Sequence, residues 1–387
     1  MKIAYCIGSL NLGGISTVAF NLNSYLKSKN YDFDIITTHH KGNLFATALS
    51  NSFPVIDVSN NEPSLKNRIL NLKSFLNKYD VVINNHSDEL IYAFPLLKKS
   101  IIKISVQHNI LKKSAIDLSF NKKYIDYYAG VSPSVSDVIR KYTPSIKRVI
   151  DLPNGVNKVS FLKKQKERKI KLLYVGRIDN YTKNIFITLK IASQFKILGI
   201  DFKYNIVGDG HDLGKLKNLV EEYKLEDYVS ILGQRSNLQV GQLMCMSDFI
   251  FNISKWEGLP MTVLEAMSCG LIPILSDIKP HNYILGADLS KKLIVKNVNV
   301  NKLVKFIVDL KNDISMYEKI SLDLIMRWEK MFSLEAFGSN YEKIFLKGKN
   351  VSVDCVENFN ELSFPFHARF KLLSIYVFFQ KFIRFSK

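Results

Sequence analysis

Short apolar runs rich in β-branched residues alternate with stretches of helical periodicity along most of the chain. In the first half the strand-like runs include "KIAYCIG", "FDIITTHH", "DVVINNH" and "IIKISVQH". Segments with apolar residues at helical spacing, such as "VAFNLNSYLKSK" and "PSVSDVIRKY", lie among them. Because strands that alternate with helices are typical of βαβ units, this pattern predicts a parallel sheet with helices on both faces.

The same pattern starts again after a polar, lysine-rich stretch, "NKVSFLKKQKERK". The later strand-like runs are "IKLLYVGRI", "FKYNIVGDG", "VSILG", "SDFIFNIS" and "LIPILSD". We therefore expect two Rossmann-like, doubly wound α/β domains, residues 1–165 and 166–346, with closing helices after residue 301. In such folds ligands bind at the carboxyl ends of the strands, so we expect the two domains to face each other across a cleft.

Composition sets limits on the class of protein. A chain of 387 residues with 47% hydrophobic residues can bury two cores of ordinary size. Its four cysteines have neither metal-ligand nor disulfide-framework spacing, which favours reduced thiols in the cytoplasm. The opening "MKIAYCIGSL" is typical of a first strand rather than a signal peptide, and no apolar run approaches the roughly 20 residues that span a bilayer.

The net charge of +19 calls for an acidic partner. No signature of a nucleic-acid-binding module is present, so we expect no nucleic acid partner. Residues 347–387 form a basic tail that contains no Asp or Glu from Phe364 onward and mixes lysine and arginine with aromatic and aliphatic residues. This composition predicts peripheral binding to the anionic inner face of the plasma membrane. The alternative is a terminal helix packed on a neighbouring domain.

The stretch "WEGLPMTVLEAMSCG" places two carboxylates, Glu257 and Glu265, among apolar residues. Pro260 suits the first helical position and Gly270 suits the residue after the helix, so we predict a helix over 260–269. A buried Glu265 is costly unless a group hydrogen-bonds it, and the helix N-terminus favours an anion near Glu257. The pattern indicates a ligand with phosphate and hydroxyl groups. A helix with an acidic first turn and one surface glutamate is the alternative.

Several ordered motifs resemble the family 4 glycosyltransferases of the GT-B fold. They include "LLYVGRIDNYTKN", "IVGDGHDLGKLKNLV" and "EGLPMTVLEAMSCGLIPILSD", the last with the E-x7-E pattern, and "LGGISTVAFNL", "SVQHN" and "LPNGVN" in the first half. The resemblance covers residues 1–346. It implies a retaining glycosyltransferase, without a cofactor or catalytic metal, that uses a nucleotide-sugar donor, with UDP-sugar as the first expectation. Residues 1–165 would be the acceptor-binding domain and residues 166–346 the nucleotide-sugar-binding domain.

The resemblance also implies roles for individual residues. Glu265 would accept the ribose hydroxyls, Glu257 would lie near the donor sugar, and Arg177 and Lys183 would neutralise the pyrophosphate. His108 would face the donor sugar from the end of a strand in the first domain, with His86 a weaker candidate of the same kind. The remaining donor-binding candidates supply backbone close to the phosphates or the sugar: Gly13, Gly14, Gly258, Leu259, Pro260 and Met261. Without the motif, Arg177, Lys183 and His108 would be interpreted as structural or surface residues.

One loop departs from the family pattern. Many members have a Gly-Gly-x-x-Glu loop after the "SD" strand end, where this chain has "SDIKPHNYIL". Lys279, His281 and Asn282 are candidates for replacement contacts, and the identity of the donor sugar stays open.

The sequence thus predicts transfer of a hexose or N-acetylhexosamine to a saccharide acceptor in bacterial surface-polysaccharide synthesis. A polyprenyl-diphosphate-linked saccharide is one candidate acceptor. A nucleotide-sugar epimerase or phosphorylase on the same fold and a non-catalytic scaffold are the rival interpretations.

Overall fold

A computed structural model describes residues 1–348, except for residues 12, 60, 61, 63, 119, 147 and 162–167. Nearly all of the predicted basic tail therefore lies outside the described residues. The chain divides into two compact units, and each is considered by itself.

The first unit is built on a parallel sheet that has seven strands among the described residues. Its strands are β1 (Lys2–Ile7), β2 (Asp32–Thr37), β3 (Val55–Asp57), β4 (Val81–Asn85), β5 (Ile102–Gln107), β6 (Tyr127–Gly130) and β7 (Val149–Asp151). Its helices are α1 (Gly14–Ser28), α2 (Phe45–Ser50), α3 (Leu65–Leu76), α4 (Asp88–Ala93), α5 (Lys112–Leu118) and α6 (Pro133–Tyr142). The strand order is β3-β2-β1-β4-β5-β6-β7, so the direction of winding reverses between β1 and β4.

The second unit repeats this design on a parallel sheet with six strands, counted over the same described ranges. Its strands are β8 (Ile170–Val175), β9 (Phe202–Val207), β10 (Val229–Gly233), β11 (Phe249–Asn252), β12 (Ile272–Ser276) and β13 (Ile294–Val295). The helices that follow are α7 (Asn180–Lys183), α8 (Phe186–Ile197), α9 (Leu213–Glu222), α10 (Asn237–Met246), α11 (Met261–Ser268), α12 (Lys279–Leu293), α13 (Val300–Asn312), α14 (Ile314–Phe332) and α15 (Leu334–Lys347). The strand order is β10-β9-β8-β11-β12-β13, and the winding reverses between β8 and β11.

Central strands of both sheets are apolar on both faces because helices cover both faces. In β1 the residues from Ile3 to Ile7 are all buried, and β4 is buried throughout. Register pairs Ile3 with Phe33 on one side and with Val81 on the other. The near-continuous apolar runs in the sequence are what such a doubly covered parallel sheet requires. The predicted pair of Rossmann-like domains is confirmed.

The division between the units differs from the predicted boundary at residue 165. The second unit comprises Ser132–Ser134 and Pro153–Phe337, and residues from Gly338 onward cluster with the first unit. The segment after Pro153 stays with the second unit because the Val156 amide donates to the Phe332 carbonyl at 2.9 Å. The polar stretch that suggested a boundary thus lies inside the second unit.

The end of α15 belongs to the first unit because it packs on α1. A Cβ at Gly338 would lie 2.0 Å from Cδ1 of Tyr25, so only glycine allows this approach. The Tyr25 hydroxyl donates to the Glu342 carboxylate at 2.5 Å, and the Tyr31 ring meets the Phe345 ring. These are contacts between residues far apart in sequence, which local patterns do not reveal.

None of the helices in the described ranges combines the length and apolar character needed to cross a bilayer.

Candidate active site

The loop after β8 carries Arg177, one of the predicted cations. Its side chain is largely exposed, and its guanidinium lies 3.2 Å from a carboxylate oxygen of Asp179. The Arg177 carbonyl accepts a hydrogen bond from the Tyr174 hydroxyl at 2.7 Å, which fixes the backbone at the end of the strand. Arg177 therefore presents a positive charge to solvent from a well-held loop.

The short helix α7 places Lys183. Asp179 caps the helix by accepting the Thr182 amide at 3.1 Å, and Asp212 accepts the Asn180 amide at 2.7 Å. Carboxylates at these positions satisfy amide groups that a helix start leaves unpaired. The cap fixes the direction in which Lys183, the last residue of α7, leaves the helix.

Lys183 and Glu257 form a close ion pair with 2.6 Å between the ammonium and a carboxylate oxygen. Both side chains are mostly buried, with 21% and 10% of their surface exposed. The same Glu257 oxygen lies 2.8 Å from the hydroxyl of Ser254, a residue just beyond β11. Two residues that the sequence assigned to one site, 74 positions apart, are therefore in contact.

Hydrogen bonds behind this pair tie together the ends of β11 and β12. The Ser276 hydroxyl donates to the Ser254 carbonyl, and the Ser276 carbonyl lies 2.9 Å from Nδ1 of His281. Burial lowers the pKa of His281 to about 4, so the ring is neutral at pH 7 and Nδ1 carries the proton that it donates. Ser254, whose backbone this network holds, is thereby placed to hydrogen-bond Glu257.

Helix α11 carries Glu265. The helix runs over Met261–Ser268, so Pro260 is the N-cap instead of the predicted first helical residue. Gly270, with φ of 72°, ends it as predicted. The Glu265 side chain is partly exposed between buried Leu264 and Ala266, and none of the described side chains hydrogen-bonds its carboxyl. Burial raises its pKa to about 7. The predicted acceptor of ribose hydroxyls is thus a carboxyl whose hydrogen-bonding capacity is unused.

The segment between these two carboxylates includes Gly258, Leu259, Pro260 and Met261. Leu259 and Pro260 are buried, whereas Gly258 and Met261 are partly exposed. Met261 is the first residue of α11, so its amide and the next ones lie at the positive end of a helix, where a phosphate is favoured.

In the first unit Gly13 and Gly14 line a cavity of about 330 Å³ together with His86. The cavity lies after β1, where the winding of this sheet reverses, and Gly14 begins α1. A Cβ at Gly13 would meet no atom within 4 Å, so the loop leaves open space there. The predicted glycine loop is therefore at a ligand-sized opening.

His108 directly follows β5 and does not line that cavity. Its ring lies 5.8 Å from the ring of His86, which does. Burial, together with the neighbouring His86, lowers the pKa of His108 to about 3. Its Nε2 is buried without a hydrogen-bond partner among the described residues. The His108 ring is therefore neutral at pH 7. It can hydrogen-bond a ligand near the opening, but it is not a general acid at this pH.

With this geometry in view, three comparisons define what the chain resembles. Residues 157–322 match the family model of the glycosyl transferases group 1. The match covers less than half of the chain and lies within the second unit. It contains every site residue predicted in the second unit, from Arg177 to Glu265.

Two similar proteins are glycosyltransferases by name. A GDP-mannose:cellobiosyl-diphosphopolyprenol alpha-mannosyltransferase of Xanthomonas campestris is 34% identical over 111 residues, which are 28% of this chain and 29% of that protein. The chain thus spans under a third of the length of this relative. An uncharacterized glycosyltransferase of Methanocaldococcus jannaschii is 25% identical over 356 residues, 86% of this chain and 94% of that one.

A solved structure shows the same fold. The Anabaena protein HepE, crystallised with UDP and glucose, matches 90% of this chain and 100% of its own with a TM-score of 0.74 and 15% identity. The predicted GT-B fold class, with two Rossmann-like domains, is confirmed.

One group of side chains in the second unit has the composition of a metal site. Ligand atoms of Asp179, His211 and Asp212 lie within 4.8 Å of one another. Asp179 already caps α7 and pairs with Arg177, and Asp212 binds the Asn180 amide and lies 3.2 Å from His211. These contacts give the two carboxylates a structural role in shaping α7.

Sequence reasoning missed Ser254, which hydrogen-bonds Glu257, and Ser276, which holds the Ser254 carbonyl. Ser254 lies two residues beyond β11 and Ser276 ends β12, so the predicted strand-like runs reach one or two residues past the strand ends. A serine near the end of each of two neighbouring parallel strands was the signal, because such residues meet at one edge of the sheet. His281 was named only as a possible replacement contact, and it is buried instead of facing the surface.

The raised pKa of Glu265 predicts a stability effect. Between pH 4.5 and 7 the unfolded chain loses this proton while the folded chain keeps it, so burial of Glu265 lowers stability as the pH rises. Glu265→Gln should therefore raise the free energy of unfolding by about 1–3 kcal/mol at pH 8, with little gain at pH 4. Urea unfolding at both pH values measures it, and Glu221→Gln, an exposed glutamate of α9, is the control. Equal gains at both pH values would contradict the account.

Proposed function

We propose that the protein is a retaining, metal-independent glycosyltransferase that uses a nucleotide-diphosphate sugar, with UDP-sugar as the first expectation. It would move a hexose or N-acetylhexosamine to a saccharide acceptor in surface-polysaccharide synthesis. The observation that supports this most strongly is the arrangement of the group 1 domain at the reversal between β8 and β11. There the Lys183–Glu257 pair, exposed Arg177 and the unpartnered Glu265 carboxyl belong to the loops and helices that follow these strands.

These groups match the parts of such a donor. Arg177 and Lys183 supply the positive charge that a pyrophosphate needs as it departs, and fixed cations aimed at developing charge lower the barrier by several kcal/mol. Glu265 can accept two hydroxyl hydrogen bonds from a ribose, which gives its buried carboxylate the partners that the protein does not supply. Glu257, held by Lys183 and Ser254, is placed to orient the transferred sugar.

Retention of configuration follows from attack on the face from which the nucleotide leaves. The bond between the anomeric carbon and the pyrophosphate oxygen breaks, and the acceptor hydroxyl oxygen bonds to the same face of that carbon. The acceptor proton passes to the departing phosphate oxygen. In this scheme no protein carboxylate becomes covalently attached to the sugar, and Arg177 and Lys183 stabilise the nucleoside diphosphate as it forms.

Metal independence is part of the proposal because the protein's own cations take the role that a divalent ion has in other phosphate sites. The group formed by Asp179, His211 and Asp212 stabilises α7 through its internal contacts, and the proposal gives it no ligand. Activity that survives chelation by EDTA is the expected behaviour.

A lipid-linked acceptor is the second part of the proposal. The name of the Xanthomonas relative specifies a diphosphopolyprenol-linked saccharide as its acceptor and GDP-mannose as its donor. An acceptor of that class is anchored in the membrane, which agrees with the net charge of +19 and the basic composition after residue 347. The same name makes a GDP-sugar the alternative donor.

Calorimetric titration tests the donor assignment. We expect one of UDP, GDP, UDP-sugars and GDP-sugars to bind without added metal, and Glu265→Ala to weaken that binding by about 1–3 kcal/mol through lost charged hydrogen bonds. Glu221→Ala, in the same unit, should bind as the wild type does. Absence of binding by every nucleotide would refute the donor site and favour the non-catalytic scaffold.

Product analysis separates the two enzyme interpretations. Incubation with the bound nucleotide sugar alone should leave its sugar unepimerised. Conversion of the donor without any saccharide acceptor would favour the epimerase or phosphorylase.

A vesicle-binding assay tests the membrane assignment separately. The full chain should sediment with vesicles that contain anionic phospholipid, and a chain ending at Lys347 should sediment less. The binding should weaken as salt is raised, because surface charges are screened. Equal sedimentation of both chains would show that the tail is not the membrane anchor.

A further inference from the structure

Two aromatic side chains lie in the same segments as the Lys183–Glu257 pair. Tyr181 is two residues before Lys183 in α7, and Trp256 directly precedes Glu257. Their ring centroids are 5.0 Å apart with an interplanar angle of 42°. The Lys255 amide also donates to the Thr182 carbonyl at 2.8 Å. A backbone hydrogen bond and an ion pair therefore hold these two rings beside each other.

Both rings are turned toward solvent. Tyr181 is 71% exposed and Trp256 is 42% exposed, whereas the second tryptophan, Trp328, is only 5% exposed. Keeping large apolar side chains in water forfeits the stabilisation that burial would give. A paired exposed aromatic surface next to a candidate active site is typical of a ligand-binding surface.

We propose that Tyr181 and Trp256 form an aromatic platform that stacks against a pyranose ring of the saccharide acceptor. This inference rests on the proposed function and names the part of the site that binds the second substrate. A pyranose has an apolar face of C–H groups and a rim of hydroxyls. The platform suits the apolar face, and the neighbouring Lys183 and Glu257 offer hydrogen bonds to the rim.

The position of the rings favours the acceptor over the nucleotide. The nucleotide must reach Glu265 on α11, which is less exposed than either ring, so its ribose and base bind close to that helix. The acceptor arrives from solvent and must meet the sugar held beside Glu257. The exposed rings, one and two residues before Glu257 and Lys183 in sequence, lie where an incoming saccharide meets that pair.

Acrylamide quenching of tryptophan fluorescence tests the platform in the intact protein. The chain has two tryptophans, and buried Trp328 is protected, so the quenched signal comes mainly from Trp256. The probes are cellobiose, maltose and di-N-acetylchitobiose, each with and without the nucleotide that binds best. We expect at least one saccharide to protect Trp256 from acrylamide. Tyr181→Ala should raise the saccharide concentration that gives half-maximal protection by about three- to tenfold, since one of two stacking rings is lost.

Matched variants separate stacking from a general loss of structure. Trp256→Phe keeps a ring and should retain transfer from the nucleotide sugar to that saccharide. Trp256→Ala should raise the KM for the saccharide with little change in the KM for the nucleotide sugar. Leu238→Ala, which removes an exposed apolar side chain of α10, should change neither.

Two results would overturn the platform. One is that none of the three saccharides protects Trp256 although a nucleotide binds to the protein. The other is that the nucleotide alone protects Trp256 and saccharides add nothing, which would assign the rings to the base. If no nucleotide binds at all, the proposed function fails first, so the two failures are distinguishable.

Discussion

The cost of burying the Glu265 carboxyl is the constraint on which the candidate site depends. Burial raises its pKa to about 7, so near neutral pH the group is ready to exchange its proton for hydrogen bonds from a ligand. None of the described side chains hydrogen-bonds this carboxyl, and its neighbours in α11, Leu264 and Ala266, are buried and apolar. Because the described side chains leave this carboxylate without a hydrogen-bond partner, both of its oxygens are available to the hydroxyl groups of a ligand.

The geometry of a doubly wound sheet explains why the other groups are nearby in the fold. The strand order of the second unit reverses between β8 and β11, so the loops after these strands diverge to opposite sides and leave room between them. One loop supplies Arg177 and Lys183, and the other supplies Glu257. The 2.6 Å ion pair between Lys183 and Glu257 connects the two loops across that reversal.

The sequence predicted features that are set by residues near one another in the chain, and it missed features that depend on contacts between distant residues. The helix over 133–142 and the strand over 229–233 match their apolar patterns, and the ion-pair partners Lys183 and Glu257 were assigned to one site through the family motif. The hydrogen bond from Ser276 to the Ser254 carbonyl was missed because it forms only when β11 and β12 lie side by side. The unit boundary was misplaced because Val156 and Gly338 are fixed by distant residues. The contact between Tyr181 and Trp256 likewise exists only in the folded domain.

Proton release on binding of the nucleotide sugar tests the role of Glu265 most directly. A UDP-sugar or GDP-sugar has no group that titrates near pH 6.5, so calorimetry in two buffers of different ionisation enthalpy reports protons released by the protein. If hydroxyls of the ligand bind the ionised carboxylate, the wild type should release more than about half a proton at pH 6.5, and Glu265→Gln should release almost none. Equal release by the two proteins, or none by the wild type, would contradict the account.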